Sequence, residues 1–405
     1  MIKAIVLHFA VSSDKDRNPN QKLEEVKALS KALSGIEVVD ARIITLKEIT
    51  PATYMGKGNV QLLAETVKAF EIDMVMINTQ LSPIQQRNLE KELKAKVIDR
   101  TALILEIFAQ RAQTKEGRLQ VRLAQLMYQK SRLVRTWTHL ERQRGGSGFL
   151  AGPGERQLEL DKRMLGEEIK SIKKDLDAVK KTRSLHRKKR KDIPYPIVVL
   201  VGYTNAGKST LFNNLTASKV FAKDLLFATL DPTLRKMRLP SGREVILSDT
   251  VGFISDLPTE LVAAFRATLE EVSVADLILH VRDISHDETD QQKADVLKIL
   301  KDLHVDPTKI IEVKNKIDLS TRKIKDGVSA RTGEGIDRLK KEIEDKLFEG
   351  DEEVEITIPY DKGRDLDWLY RNGRIESRKD LKGGVKLKVK LSAAKKAEFE
   401  KNFKK

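Results

Sequence analysis

One stretch of this 405-residue chain restricts its fold more than any other. Ile197-Val198-Val199-Leu200-Val201 is an unbroken apolar run, the pattern of a strand buried on both faces. It leads directly into Gly202-Tyr203-Thr204-Asn205-Ala206-Gly207-Lys208-Ser209, which fits G-x-x-x-x-G-K-[ST], and Thr210-Leu211-Phe212-Asn213-Asn214-Leu215 then reads as an opening helix. Gly207 lets the backbone approach an anion closely, and successive N–H groups at the helix N-terminus point at phosphates. Lys208 carries positive charge to the terminal phosphates, and the Ser209 hydroxyl is a magnesium ligand. A glycine turn with a chance lysine is the alternative, and the flanking strand and helix count against it.

Four further stretches follow in order. Phe227-Ala228-Thr229-Leu230-Asp231-Pro232-Thr233 offers Thr229 as a switch threonine whose hydroxyl completes the magnesium shell. Val245-Ile246-Leu247-Ser248-Asp249-Thr250-Val251-Gly252 is a strand ending in D-x-x-G, where Asp249 holds magnesium through water and the Gly252 N–H bonds a γ-phosphate. Ile310-Ile311-Glu312-Val313 leads to Asn315-Lys316-Ile317-Asp318, and Ser329-Ala330-Arg331 closes the set. Asp318 accepts two bonds from a guanine ring, Lys316 covers the base plane, and the Ala330 N–H is expected on the guanine oxygen. Adenine would leave Asp318 unpaired, a penalty on the order of ten-thousand-fold. One such tetrapeptide is weak evidence; five in order imply a GTP- and GDP-binding domain, with Lys208, Thr229 and Gly252 as the expected catalytic groups.

The absence of cysteine excludes a disulfide framework and thiolate metal sites, and fits a reducing cytoplasm. No apolar run approaches the roughly 20 residues of a membrane span, and Ile2–Val11 reads as a first strand rather than a secretory segment. The net charge is +16, and its location matters more than its size. Residues 112–191 hold 22 Lys and Arg against 9 Asp and Glu, so most of the excess sits in one fifth of the chain. That concentration favours a polyanionic partner, RNA before a membrane surface, over a merely solvated helix face.

The chain divides by pattern into four parts. Residues 1–111 alternate strands (2–10, 37–44, 73–77, 96–99) with helices (21–33, 59–70, 83–93, 102–110), implying a small parallel sheet. Met55-Gly56-Lys57-Gly58 within it reads as a helix-entry turn rather than a second nucleotide site. In residues 112–187, Leu119, Leu126, Leu133 and Leu140 recur every seven residues, as do Leu158, Leu165, Ile172 and Val179. Two heptad stripes joined by a glycine-rich loop predict an antiparallel helical hairpin. Its arginines are available for phosphates, and Arg142, Arg144, Gly148, Phe149, Leu150 and Arg156 at the tip are the candidate RNA contacts. Arg187–Lys191 with Pro194 and Pro196 marks a linker into a P-loop GTPase domain, 188–350. Residues 351–405 suggest strands at 354–359, 374–376 and 385–391 around a helix at 362–370, a small α/β appendage with a basic tail. The fold class is α/β.

The residues outside the nucleotide motifs resemble a family. Leu81-Ser82-Pro83-Ile84-Gln85-Gln86-Arg87-Asn88-Leu89-Glu90, Ile98-Asp99-Arg100-Thr101, Ile107-Phe108-Ala109-Gln110-Arg111-Ala112, Leu119-Gln120-Val121, Gly152-Pro153-Gly154-Glu155 and the Phe227–Thr233 stretch closely resemble the HflX family of ribosome-associated GTPases. The resemblance covers roughly residues 1–350 and is looser beyond. It implies binding to the large ribosomal subunit and its rRNA, with the basic hairpin reaching toward the peptidyl transferase centre, and GTP-dependent dissociation of stalled or idle ribosomes. Residue patterns alone reach GTP and RNA but do not choose the ribosome. A GTP-dependent assembly or RNA-binding checkpoint and a membrane-surface scaffold are the competing readings. A cytoplasmic monomer is expected, with peripheral membrane association left open. Phe253 stands where many Ras-like proteins have a water-orienting glutamine, so slow intrinsic hydrolysis and stimulation by the ribosome are expected. Asn205 matches the asparagine that cation-dependent GTPases use to hold potassium; loop hydrogen bonding is its alternative role.

Overall fold

The computed structural model describes residues 1–11, 18–143, 153–190, 195–216, 233–250, 252–254, 272–320, 324–391 and 393–403; the side chains of 134–143, 153–158, 180, 182–190, 393–394 and 402–403 are outside the description. The chain forms two compact units, one built mainly on Met1–Lys191 and one on the residues that follow.

In the first unit, β1 (Ile2–Val11), β2 (Ile36–Leu46), β3 (Met74–Ile77) and β4 (Lys96–Asp99) form a parallel sheet in the order β2-β1-β3-β4. Helices α1 (Pro19–Lys31), α2 (Lys57–Ala69) and α3 (Pro83–Leu93) make the crossovers, and α4 (Arg100–Arg111) follows β4. Strand β1 is buried on both faces, as its apolar run requires. One face packs Ile5, Leu7 and Phe9 against Val60, Leu63, Leu89 and Leu93 of α2 and α3. Helix α3 starts on a Ser82–Gln85 capping box with Pro83 in its first turn.

Helices α5 (Lys115–Gln143) and α6 (Pro153–Arg190) follow, and Leu123 and Leu126 of α5 pack on Ile169, Ile172 and Leu176 of α6, with Leu119 and Leu165 at the margin. Leu119, Leu126, Leu165 and Ile172 of the heptad stripe therefore lie in the helix–helix seam. At 38 residues α6 is about 57 Å long. It runs to Arg190, through the stretch expected to be a linker. Lys and Arg are good helix formers, and a basic C-terminal turn suits the helix dipole, so 187–190 continue the helix.

The second unit holds a five-stranded sheet in the order β6-β7-β5-β8-β9: β5 (Ile197–Gly202), β6 (Thr233–Arg238), β7 (Glu244–Asp249), β8 (Leu277–Asp283) and β9 (Ile310–Asn315), parallel except for β6. Alternate residues of β5 feed two cores. Val198 and Leu200 face α7 (Lys208–Thr216) and α9 (Ile336–Leu347), whereas Val199 and Val201 face Val296 and Leu300 of α8 (Thr289–Asp302). Beyond α9, β10 (Glu352–Pro359), β11 (Arg374–Leu381) and β12 (Gly384–Leu391) form an antiparallel sheet, order β10-β12-β11, with α10 (Gly363–Asn372) and α11 (Ala393–Phe403) over its apolar face. The strand expected to stop at Glu376 continues to Leu381, and α11 was not anticipated. Among the described residues no helix is long and apolar enough to cross a membrane.

Candidate functional site

The register of the parallel strands draws the nucleotide motifs together. Leu200 pairs with Asp249, Gly202 with Val281, and Asp283 with Asn315, so the loops after β5, β7 and β9 open at one sheet edge. This is the carboxyl edge, where open α/β sheets hold ligands.

Lys208, first residue of α7, is buried, and its ammonium donates to the carbonyls of Gly202 (3.0 Å) and Tyr203 (2.8 Å). Burial lowers its pKa to about 8, against the opposing pull of the Asp249 carboxylate. A poorly solvated cation beneath a glycine loop gains from an incoming phosphate. The Ser209 hydroxyl donates to Asp249 Oδ2 at 2.8 Å. A hydroxyl and a carboxylate side by side are hard oxygen donors that fit magnesium, an ion that takes one or two protein oxygens and completes its octahedron with water and phosphate. The Thr204 hydroxyl is buried without a hydrogen-bond partner among the described residues. Asn205, with φ of 60°, is exposed at the loop's outer edge. Thr210 is half-buried in the first turn of α7.

Asn315 ties three loops together. Its amide donates to the Ala206 carbonyl at 2.8 Å and its oxygen accepts from the Ala330 N–H at 3.0 Å. Gly207 is required here: its φ is +88°, and a Cβ would lie 2.3 Å from Asn315 Nδ2. The Ala330 N–H, expected on the guanine oxygen, is thus engaged by Asn315, because a buried amide oxygen must find a donor. Ser329 is fully buried and its hydroxyl accepts from the Thr332 N–H at 3.1 Å; Arg331 is exposed. Lys316 has φ of 64°, and its ammonium lies 2.6 Å from Asp283 Oδ2, while Asp318 is exposed. Asp283 ends β8, a strand signalled in the sequence by the apolar run Leu277-Ile278-Leu279, but no local pattern marks its carboxylate as the partner of Lys316.

Around D-x-x-G the side chains divide between site and scaffold. Thr250 is buried with its hydroxyl on the Leu200 carbonyl at 2.7 Å, which leaves its backbone to face a ligand. A Cβ on Gly252 would come within 2.9 Å of Thr204 Cα and 3.0 Å of Lys208 Nζ. Phe253 pairs with Tyr203 in a parallel bridge: its N–H donates to the Gly202 carbonyl at 3.0 Å and its carbonyl accepts from the Thr204 N–H at 2.6 Å. Its ring is buried with Val199, Val201, Ile278 and Val296. It therefore anchors the start of this loop to the phosphate loop instead of standing over the attacking water. Phe227, Ala228, Thr229, Leu230, Asp231, Val251, Arg144, Gly148, Phe149 and Leu150 lie outside the described residues, as do the side chains of Arg142 and Arg156.

Comparison with known proteins agrees with this geometry. Family models match residues 20–109 (GTP-binding GTPase N-terminal), 111–190 (GTP-binding GTPase Middle Region), 197–316 (50S ribosome-binding GTPase) and 313–405 (HflX C-terminal domain). GTPase HflX of Magnetococcus marinus is 50% identical, covering 92% of this chain and 88% of its own length. GTPase HflX of Escherichia coli is 41% identical, covering 96% and 93%. A GTP-binding protein from Sulfolobus solfataricus, solved in complex with GDP, aligns over 86% of this chain and 99% of its own at 24% identity, with a TM-score of 0.46. The motifs at the sheet edge, the family models and the extent of the two HflX matches lead to one conclusion: the chain belongs to the HflX family of GTPases.

Proposed function

We propose that this GTPase binds the large ribosomal subunit through its basic hairpin and uses GTP binding and hydrolysis to dissociate stalled or idle ribosomes. The observation that carries the reading is the joining, in one chain, of a phosphate loop, Lys208 and Asp318 at one sheet edge to a hairpin of 29- and 38-residue helices within the segment of 22 Lys and Arg. The family model over 197–316, described as a 50S ribosome-binding GTPase, supports the choice of partner.

Ser209, Asp249 through water, and Thr229 would hold magnesium, which supplies charge neutralisation at the phosphates. Lys208, the loop amides and the Gly252 N–H orient and neutralise the γ-phosphate from the protein side. Asn205 is the residue that would hold potassium, and its exposure at the loop's edge suits that role. With the Phe253 ring in the core, this chain supplies no side chain at that position to align water, so the ribosome is expected to complete the site.

Sucrose-gradient profiles of ribosomes with GTP, GDP and a non-hydrolysable analogue test the reading. Loss of the joined-ribosome peak with GTP and the analogue but not with GDP is expected. Unchanged profiles together with accumulating precursor subunits on depletion would replace splitting with an assembly role.

A further inference from the structure

The strands β6 and β7 are joined by Leu239-Pro240-Ser241-Gly242-Arg243, at the end of their hairpin away from Asp249. The turn closes by hydrogen bonds from Leu239 N to the Arg243 carbonyl and from Gly242 N to the Leu239 carbonyl, both 2.9 Å. Arg243 is buried and grips the C-terminal part of the unit with three kinds of contact. Its Nη1 pairs with Asp351 Oδ2 at 2.9 Å, both side chains being almost fully buried, and its Nη2 donates to the Lys390 carbonyl of β12 at 2.7 Å. The guanidinium carbon stands 4.0 Å from the centre of the Phe348 ring. The turn is tied a second time, by the Ser241 hydroxyl on the carboxylate of buried Glu344 in α9.

The other end of β7 lies in the nucleotide site. Asp249, six residues after Arg243, accepts from Ser209, and Gly252 and Phe253 beyond it rest on the phosphate loop. A strand is stiff along its length, and this one spans about 20 Å between its two attachments. We propose that Arg243 is a positioning residue that couples the C-terminal sheet to the nucleotide site through the β6–β7 hairpin, so that displacement of that sheet changes GDP release and GTP turnover. The inference rests on the GTPase activity and not on the identity of any partner.

The chemistry of the joint favours coupling over simple adhesion. A buried ion pair adds little stability that apolar packing could not supply, because both charges lose their hydration. What a planar guanidinium adds is direction: carboxylate, carbonyl and ring are satisfied together in a narrow range of positions. The hairpin is thereby held in one register against β12, and a shift of β12 must either break the contacts or move β7.

The full chain tests this with Arg243→Met, Arg243→Lys and Asp351→Asn, reading release of a fluorescent GDP analogue, kcat and KM for GTP, thermal melting and proteolysis between α9 and β10. Lysine can keep the charge opposite Asp351 but cannot reach the Lys390 carbonyl as well. A change of at least about fivefold in GDP release or kcat is expected in Arg243→Met, with Arg243→Lys between it and the parent chain. Should Arg243→Met fail to fold, Arg243→Lys and Asp351→Asn carry the test. Arg374→Ala is the control, since it removes the 3.2 Å pair between Arg374 of β11 and Asp345 of α9 without touching the hairpin. Lower melting temperature or faster proteolysis with nucleotide kinetics unchanged would overturn the proposal, leaving Arg243 an adhesive contact. Equal kinetic effects of Arg374→Ala would overturn the route through the hairpin.

Discussion

The parallel strands of this chain's two α/β sheets treat their carboxyl edges in opposite ways. In the first unit the charged side chains there are paired within the protein. Asp99, fully buried, accepts from Ala102 N (2.8 Å), Tyr128 OH (2.9 Å), Leu81 N (3.3 Å) and Arg132 Nη1 (3.2 Å). Arg100 donates to Asn78 at 2.6 Å and pairs with Glu25 at 3.3 Å. Burial, followed by the Asp99 charge, raises the Tyr128 pKa and keeps its hydroxyl a donor. That edge is a joint onto which α5 is bolted. In the second unit the edge keeps capacity for a ligand: Lys208 rests on carbonyls, Asp318 and Asn205 face outward, and the Thr204 hydroxyl has no partner among the described residues. The same topology thus gives a structural joint or a ligand site according to whether strand-end groups saturate one another.

The sharpest way to break this contrast is at the open edge. Asp318→Asn should reduce GTP affinity on the order of ten-thousand-fold while raising preference for xanthine nucleotides, since the amide can donate to the xanthine oxygen. Competition binding that leaves GTP preferred over XTP would remove Asp318 from base recognition.

At the closed edge the effect should fall on stability. Asp99→Ala leaves Arg132 partly buried without its carboxylate and frees the N–H groups of Leu81 and Ala102. A loss of about 3–5 kcal/mol is expected in denaturant unfolding of the first unit. GTP affinity should stay within about twofold, because sites without shared partners act independently. A large fall in affinity with stability intact would mean that this edge also serves the nucleotide.

How much of this was legible in the sequence depends on whether a residue's role is local. The phosphate loop, D-x-x-G and Asn315–Asp318 were readable because tight turns and strand ends need those residue types at fixed spacing. The heptad leucines were readable because the seam repeats with the helix. Strand β6 was not: in Thr233–Arg238 Met237 is buried while Leu234 stands partly exposed, so the edge strand shows no clean alternation. Nothing local marks Arg243 and Asp99 as buried, since their burial depends on partners 108 and 33 residues away. Phe253 was the instructive case. Its position in the motif was right, but the direction of its side chain is set by the bridge to Tyr203, which no local pattern encodes.

Phe253 supplies the next test. Were this position part of the catalytic apparatus, Phe253→Gln should speed hydrolysis. Since the ring fills a core, the variant is expected instead to lose about 3 kcal/mol through missing ring contacts and a buried amide, with no gain in single-turnover rate. A faster rate at unchanged stability would show that the loop can turn this side chain toward the nucleotide.

The smallest effect concerns the proton on Lys208. Its folded pKa, about 8, lies below the ordinary 10.5 because the ammonium is buried. Between these values the unfolded chain holds a proton that the folded chain has lost, so this group makes the protein more stable as pH rises from about 8 toward 10.5. Phosphate binding works the other way: it favours the ammonium and draws the proton back. Nucleotide affinity should therefore fall by up to about tenfold per pH unit above 8, with proton uptake on binding. Calorimetry at about pH 8.5, in buffers of different ionisation enthalpy, measures that uptake directly. Lys208→Met should abolish the uptake whatever it does to affinity. Equal uptake in the two proteins would assign the proton to another group and show that Lys208 stays charged in the empty loop.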